Sequence, residues 1–306
     1  MPVFNGMPFL PLAVESILAQ TFPDFEFVIV NDCSTDGSAS YLDSLTDSRI
    51  VRIDLPVNSG VTTALQTGLN TCQGEFIARL DADDIAYDTR LAKQVAFMQQ
   101  NSNVGLLGSF ADMLDMNGIF LSGGKRVDKS DIDLRWDLLF KNPFIHSTVM
   151  FRTNLVLNSG LGYHLRHAED YDLWTRLAHV AELALLPEPL IQYRVNPKSW
   201  TYTKASQQNE WSEFVSAREI SCLVNASSDL INRVRNWVRV GGDLPGPDRA
   251  VLIELIRVFL EMYSRSVTSE FTRRLMRLLK KRLGWGVVKE PLYWQLWAWK
   301  PPFRLA

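Results

Sequence analysis

The sequence has few cysteines and no long hydrophobic run. Its three cysteines, Cys33, Cys72 and Cys222, are scattered and form no Cys-x-x-Cys pair. This pattern argues against a disulfide framework and a zinc site, and it is typical of a protein of the reducing cytoplasm. No apolar run approaches the ~18 residues that a membrane-spanning helix needs, and the N-terminus shows no signal peptide. We therefore expect a cytoplasmic protein.

The rest of the composition is that of an ordinary globular protein. The 306 residues are 46% hydrophobic and 22% charged, which is sufficient for one large core or two smaller ones. The net charge of −2 argues neither for nor against nucleic acid as a partner. The charge is uneven, however, because residues 271–306 contain nine Lys or Arg residues and one acid, Glu290.

Strand and helix signals alternate with short loops through the first hundred residues. Helices of this length between strands imply right-handed crossovers, and therefore an α/β fold with a mostly parallel sheet flanked by helices. From about residue 203 the pattern becomes helical, with a break at residues 241–247. We predict strands at residues 25–30, 49–54, 75–80, 104–110, 147–152 and 190–194, and helices at residues 8–20, 38–45, 61–71, 89–100 and 169–178.

Three carboxylates, those of Asp81, Asp83 and Asp84, follow directly after the predicted buried strand at 75–80. They repel one another, and a divalent metal on oxygen ligands is one way to compensate them. A solvated acidic loop is the alternative, although a preceding buried strand argues against it. Asp32 follows another strand, and ligands of open α/β sheets lie outside the carboxyl ends of the strands. We therefore expect the two acidic regions to converge on one pocket.

Five segments together resemble family 2 glycosyltransferases, which have the GT-A fold. Residues 74–84, Gly-Glu-Phe-Ile-Ala-Arg-Leu-Asp-Ala-Asp-Asp, are similar to the DxD region of that family. The other segments, in the expected order, are residues 1–6 followed by 16–22, residues 28–38, Asn58-Ser59-Gly60 with Ala64 and Gly68, and residues 169–174.

The resemblance covers roughly residues 1–200. It implies a GT-A domain there, with a nucleotide-sugar-binding half at 1–100 and an acceptor half at 101–200, followed by a helical, basic region at 201–306. It also implies inverting transfer of a sugar from a nucleoside-diphosphate sugar, with UDP expected, to a hydroxyl of a glycan or lipid-linked acceptor. Cell-surface polysaccharide synthesis is the common use of such enzymes.

The leaving diphosphate of such a donor needs its charge neutralised, and Mg²⁺ or Mn²⁺ on carboxylates does this. By resemblance, the metal ligands are Asp83 and Asp84, and Asp32 is the residue that contacts the base. Capping of the following helix is the alternative for Asp32, Ser34 and Asp36, and we favour it for the last two. The residues that resemblance assigns to the donor are Pro2, Phe4, Asn5, Asp32, Asn58, Gly60, Arg79, Asp81 and Asp83.

The acceptor hydroxyl must lose a proton as it attacks, and a nearby carboxylate is the usual general base. Glu169 and Asp170 match the ED pair of the family, which assigns the base to Asp170 and places Glu169 on the acceptor side. Favourable charge at a helix N-terminus is the alternative for both residues. His146 resembles part of an acceptor-side segment, although a satisfied core histidine is the commoner meaning of such a residue. Asn196 stands where relatives often carry a His, so no ligand is assigned there.

The two ends of the chain depart from the family pattern or lie outside it. Relatives usually have several β-branched residues before the segment at 1–6, so we expect most of the first strand to be absent. Either a misassigned start codon or a truncation of the sequence would explain this. Near the C-terminus, residues 270–283 predict a basic amphipathic helix, and residues 292–299 are rich in Trp. This favours peripheral contact with an anionic membrane, at the inner face of the cell membrane, over a helical cap on the core. No motif supports nucleic-acid binding.

Two other functions stay open at this point. A strand followed by Asp81-x-Asp83 also suits the aspartyl nucleophile of a haloacid-dehalogenase-type phosphohydrolase. That chemistry prefers Thr or Val where Ile85 stands, and a motif near the N-terminus rather than after three strands. The expected loss of the first strand motivates the second alternative, a catalytically silent relative that serves as a membrane-bound binding subunit.

Overall fold

The computed structural model describes residues 1–123, 128–197, 203–241, 244–264 and 266–283. The chain divides into two compact units, one of residues 1–131 and 142–211, and one of residues 132–141 with residues 212–306. The first unit is α/β and the described part of the second is helical, as the sequence predicts. Residues 132–141, which lie within the predicted acceptor half, belong to the second unit.

A parallel three-stranded sheet begins the first unit. The strands are β1 (Pro2–Val3), β2 (Phe27–Asn31) and β3 (Ile50–Asp54), in the order β1-β2-β3. All five residues of β2 are buried, as expected for an apolar strand covered on both faces. The helices that follow the three strands are α1 (Leu10–Leu18), α2 (Ser38–Asp43) and α3 (Val61–Thr71).

A second, six-stranded sheet completes the unit, and it is mixed rather than mostly parallel. Its order is β4-β8-β6-β9-β5, with β7 also paired to β6. Only the β6–β9 pair is parallel among its described pairs. The strands are β4 (Phe76–Ala78), β5 (Ile85–Ala86), β6 (Val104–Leu114), β7 (Phe120–Gly123), β8 (Met150–Arg152) and β9 (Glu182–Arg194).

Several predicted strand limits were wrong in this second sheet. The run at 75–80 forms a strand of only three half-buried residues, because β4 is at the end of the strand order and pairs with β8 alone. The predicted strand at 147–152 is shortened by a 3₁₀ turn at His146–Thr148. In contrast, β6 and β9 are longer than predicted because they pair with each other along almost their whole length. The helices in this part of the chain are α4 (Arg90–Gln100), α5 (Asp131–Leu138), α6 (Thr153–Leu157) and α7 (Glu169–Ala178), and α5 belongs to the second unit from residue 132 on.

The first strand is short, as expected. The backbone of Met1 continues its pairing, because the terminal amine donates to the carbonyl of Val28 at 2.8 Å. A cavity of about 650 Å³ lies between β2 and β4 and is also lined by α3 and α4. The use of another start codon stays a prediction, which the DNA upstream of Met1 tests.

Helices make up the described part of the second unit. Their shared core is aromatic, with the rings of Trp136 and Phe259 in edge contact at 5.1 Å between centroids. The C-terminal helix buries Phe271, Leu275 and Leu279 in this core. The helices are α8 (Ala205–Ser221), which begins in the first unit, α9 (Ser228–Val240), α10 (Gly246–Met262) and α11 (Ser269–Leu283).

For the helix α11, the structure distinguishes between the two expectations for the basic C-terminal region, contact with a membrane and a helical cap on the core. Its apolar face packs on protein, so the helical cap that we ranked second is what the described part of this helix forms. None of the helices in the described residues combines the length and apolar content that crossing a bilayer requires. The Trp-rich segment at 292–299 lies outside the described residues, and its contact with a membrane stays a prediction.

Candidate active site

A tight turn between β4 and β5 brings three carboxylates together. The N–H of Asp84 donates to the carbonyl of Asp81 at 3.3 Å, which folds the segment back on itself. As a result, Asp81, Asp83 and Asp84 each offer a carboxylate oxygen within 4.8 Å of the others. The sequence predicted a cluster at the end of this strand, and the turn supplies the geometry.

Arg79 and Ser147 hold Asp81 in place by hydrogen bonds. The guanidinium of Arg79, which is 6% exposed, makes hydrogen bonds to both carboxylate oxygens of Asp81. The hydroxyl of Ser147 accepts from the Asp81 N–H and from Arg79 Nη1, each at 3.0 Å. The cation that compensates Asp81 is therefore a protein side chain, and the predicted contact of Arg79 with a donor stays a prediction.

Arg194 holds the other end of the acidic segment. Its Nε donates to the Asp83 carbonyl at 3.0 Å, and its backbone N–H donates to Asp84 Oδ1 at 2.8 Å. Its guanidinium also lies 4.3 Å from the ring centroid of Phe9. Neither Arg194 nor Ser147 stands in the acidic motif, so the motif alone predicted no role for them. The one available signal was the position of Arg194 two residues before Asn196.

The electrostatics of the segment fit a hard cation. Burial, followed by the charge of Asp81, raises the pKa of Asp83 to about 6. Burial and the charges of Asp81 and Asp83 raise the pKa of Asp84 well above its usual value. Among the described residues, Asp84 Oδ2 is buried and has no hydrogen-bond partner. Buried carboxylates that repel one another, one of them with an oxygen that accepts no hydrogen bond, provide oxygen ligands that suit Mg²⁺ or Mn²⁺.

The loops after β1 and β2 are tied to each other beside this segment. Asn5, which has a φ of 52°, accepts the N–H of Thr35 on its Oδ1 at 2.8 Å, and its own N–H donates to Ser34 Oγ at 3.0 Å. A Cβ built on Gly6 would lie 3.5 Å from the Cβ of Ala82, the residue between Asp81 and Asp83. The loop that contains Phe4 and Asn5 therefore contacts the acidic segment.

Asp32 organises the loop after β3. Its two carboxylate oxygens accept the N–H groups of Ser59, at 2.7 Å, and Gly60, at 2.8 Å. Gly60 has a φ of 88°, a conformation that favours glycine. Asp32 does not cap the following helix in this structure, whereas Asp36 accepts the N–H of Ser38, the first residue of α2. The predicted contact of Asp32 with a base stays a prediction.

The remaining donor-side candidates lie on the same loops and strand. Phe4 is 50% exposed, Asn58 is exposed, and Pro2 is half-buried in β1. Their assignment to a donor still depends on the resemblance and stays a prediction.

Glu169 and Asp170 are the first two residues of α7, and the charges of Arg79 and Asp81 act on both. Asp170 accepts Asn142 Nδ2 on Oδ2 and the Tyr171 N–H on Oδ1, both at 2.7 Å. Burial raises the pKa of Asp170, while the Tyr171 N–H and the charge of Arg79 lower it. The charges of Arg79 and Asp81 also act on Glu169. The charges of Arg79 and Asp81 therefore influence the pKa values of both residues of the ED pair.

His146 is packed in the manner of a core histidine. Its Nε2 shares a hydrogen bond of 3.1 Å with the hydroxyl of Tyr163, and its ring meets the edge of Trp174 at 5.8 Å between centroids. Burial lowers its pKa well below the usual value, so the imidazole is neutral at pH 7. Its predicted acceptor-side role stays a prediction, while its contacts are those of the structural alternative.

We expect the replacement Glu169→Gln to stabilise the protein at pH 8 but not at pH 4. Burial, followed by the charge of Asp170, raises the pKa of Glu169 from 4.5 to about 7. A carboxyl group with a raised pKa in the folded state contributes to the free energy of unfolding. This contribution is complete below pH 4.5 and is lost as the pH rises through 7. At about 1.4 kcal/mol per pKa unit, the gain at pH 8 is on the order of 3 kcal/mol.

Urea unfolding at the two pH values measures this difference. The exposed Glu182→Gln is the matched control, and it should change stability equally little at both. A Glu169→Gln protein that is less stable than the parent at pH 8 would contradict the burial of an ionised Glu169.

The fold and the acidic turn define a class, the α/β domains with carboxylates that follow the end of a strand. The family model for glycosyl transferase family 2 matches residues 1–153, half of the chain. The chain belongs to this family, and the protein is a glycosyltransferase. The phosphohydrolase alternative was therefore wrong.

Relatives of known biosynthetic role cover most of the chain. The O-antigen biosynthesis glycosyltransferase WbnJ of Escherichia coli is 30% identical over 246 residues, which are 76% of this chain and 95% of that protein. The amylovoran biosynthesis glycosyltransferase AmsE of Erwinia amylovora is 30% identical over 208 residues, 65% of this chain and 77% of that protein.

Solved structures confirm the GT-A-like fold. TarS 1–349 of S. aureus in complex with UDP-GlcNAc has a TM-score of 0.62 at 19% identity, with 96% of this chain and 88% of that chain covered. The mannosyltransferase PcManGT of Pyrobaculum calidifontis, in complex with GDP-Man and Mn²⁺, has a TM-score of 0.55 at 16% identity, with 96% and 81% covered.

Proposed function

We propose that this glycosyltransferase moves a sugar, with inversion, from a UDP-linked donor to a hydroxyl of a glycan or lipid-linked acceptor in cell-surface polysaccharide synthesis. The relatives named for O-antigen and amylovoran biosynthesis support the pathway class. The similarity to a fold solved with UDP-GlcNAc supports the donor class. The observation that carries the proposal is the cluster of Asp81, Asp83 and Asp84 beside the loops after β1 and β2.

Asp83 and Asp84 would hold the Mg²⁺ or Mn²⁺ ion, which neutralises charge on the diphosphate when bound. The open, buried Oδ2 of Asp84 supports this assignment. Arg194 keeps both residues in place through the Asp83 carbonyl and Asp84 Oδ1. Arg79 and Ser147 fix Asp81 next to them, so the acidic segment is preorganised by the protein.

Asp170 is the general base of the proposed reaction. The acceptor oxygen forms a bond to the anomeric carbon while the bond from that carbon to the diphosphate oxygen breaks, and the electron pair leaves with the diphosphate. The proton of the acceptor hydroxyl moves to the Asp170 carboxylate. Attack from the face opposite the diphosphate inverts the anomeric centre. Burial of Asp170 raises its pKa toward the range of an effective base.

Calorimetry tests the donor and metal classes together. We expect UDP to bind in the presence of Mn²⁺, and to bind at least tenfold more weakly in EDTA. GDP in place of UDP tests the nucleotide, and we expect it to bind more weakly. UDP affinity that is equal with Mn²⁺ and EDTA would overturn the metal assignment, and a preference for GDP would overturn the donor assignment.

Turnover separates this enzyme from the silent binding subunit. With a radiolabelled UDP-sugar, Mn²⁺ and an extract of surface polysaccharide or lipid-linked precursor as acceptor, we expect labelled product. Tight, metal-dependent UDP binding with neither transfer nor slow donor hydrolysis would favour the binding subunit instead.

A further inference from the structure

We infer that Asn142 is a positioning residue for the general base Asp170, an inference that rests on the proposed function. The side-chain amide donates from Nδ2 to Asp170 Oδ2 at 2.7 Å. Its Oδ1 accepts the N–H of Phe144 at 3.0 Å. Because a backbone N–H can only donate, this second bond fixes which end of the amide is the oxygen. The donor end must therefore face the carboxylate.

Asn142 is itself held rigidly, which a positioning residue requires. Pro143 restricts the preceding residue to extended backbone conformations. Phe144 is 5% exposed and packs on β6, where a Cβ built on Gly108 would lie 2.6 Å from the ring. Only a glycine permits this close approach. The ring thus anchors the turn that aims the amide of Asn142, and the aim does not depend on a flexible loop.

The contact matters because Asp170 stands in the first turn of α7. Unpaired N–H groups of a first turn attract carboxylates, and the Tyr171 N–H already binds Asp170 Oδ1 at 2.7 Å. Without a second donor outside the helix, the carboxylate is free to turn about its side-chain bonds toward these groups. The bond from Asn142 opposes this rotation and keeps Oδ2 directed away from the helix backbone.

Asn142→Ala should lower kcat by roughly tenfold, the effect of losing one hydrogen bond to a charged group. We expect KM for the sugar donor and the affinity for UDP to stay unchanged, because Asn142 contacts the general base Asp170 and not the acidic segment. A loss of packing alone would not produce this separation of kcat from KM. The exposed Asn101→Ala is the matched control, and it should behave like the parent.

A second variant covers the case in which Asn142→Ala fails to fold. Asn142→Asp has nearly the same shape, but it places a carboxylate against Asp170, so the acid limb of the pH–rate profile should move to higher pH. An unchanged profile would overturn the inference. The charged and titratable groups that act near Asp170 are Glu169 on the same helix, Arg79 and Asp81 after β4, and Tyr163 before α7.

The double variant Asn142→Ala/Asp170→Asn decides how Asn142 acts. If it acts through Asp170, the double variant is as slow as Asp170→Asn alone. If it is slower by the full factor of Asn142→Ala, Asn142 works independently and the inference is wrong. Full activity of Asp170→Asn would instead overturn the assignment of the base, so the two failures are distinguishable.

Discussion

The replacement Asp170→Asn lowers kcat by about three orders of magnitude, the middle of the range for loss of a general base. The amide has almost the shape of the carboxylate and can still accept the Tyr171 N–H, but it cannot take the acceptor proton. Metal-dependent affinity for UDP stays that of the parent, because Asp170 makes no hydrogen bond to the acidic segment. Initial rates with labelled donor, together with calorimetry of UDP, measure both effects.

Asp43→Asn is a suitable control for this experiment. Its carboxylate is 70% exposed and pairs with Arg52 on the surface, so transfer should continue at the rate of the parent. Transfer by Asp170→Asn within threefold of the parent rate would place the base elsewhere. Glu169 would then be the first residue to test, since it is the adjacent carboxylate with a raised pKa.

The replacement Asp83→Asn stabilises the metal-free protein at pH 8 and abolishes its response to Mn²⁺. Burial, followed by Asp81, raises the pKa of Asp83 from 3.8 to about 6. The contribution of protonated Asp83 to the free energy of unfolding is complete below pH 3.8 and is lost as the pH rises through 6. A neutral amide avoids this loss, and at about 1.4 kcal/mol per pKa unit the gain is on the order of 3 kcal/mol.

Thermal unfolding with Mn²⁺ and with EDTA provides the comparison. In the parent protein, Mn²⁺ raises Tm because it binds the folded state, whereas Asp83→Asn has the higher Tm in EDTA and gains nothing from Mn²⁺. Sugar transfer by this variant should also be lost. The same rise in Tm with Mn²⁺ for the variant and the parent would remove Asp83 from the metal ligands. Asp43→Asn again serves as the control.

Local sequence signals predicted helices well and strand limits poorly. The predicted helices at 61–71 and 169–178 coincide with α3 and α7, because an amphipathic stripe with clear ends is a local property. The strand at 104–110 was predicted four residues too short. Its continuation depends on pairing with β9, a strand that begins 72 residues after the predicted end. The register of that pairing is not a local property.

The candidate site divides in the same way. The acidic motif and the ED pair were found from residue order and from resemblance to a family, whereas Ser147, Arg194 and Asn142 received no role. Each of these three acts through a hydrogen bond between distant positions, such as the 66 that separate Ser147 from Asp81. A serine or an asparagine in a loop carries no local sign of the partner it will meet.

The amino-acid sequence by itself determined that carboxylates follow strands, that helices alternate with those strands, and that the order of motifs is that of family 2. The tertiary structure decided which cations and donors hold those carboxylates, that the second sheet is mixed, and that the apolar face of α11 packs on protein. The physical reason is the range of the forces involved. Helix periodicity and strand propensity act over a few residues, whereas burial, raised pKa values and side-chain hydrogen bonds depend on neighbours that only folding brings together.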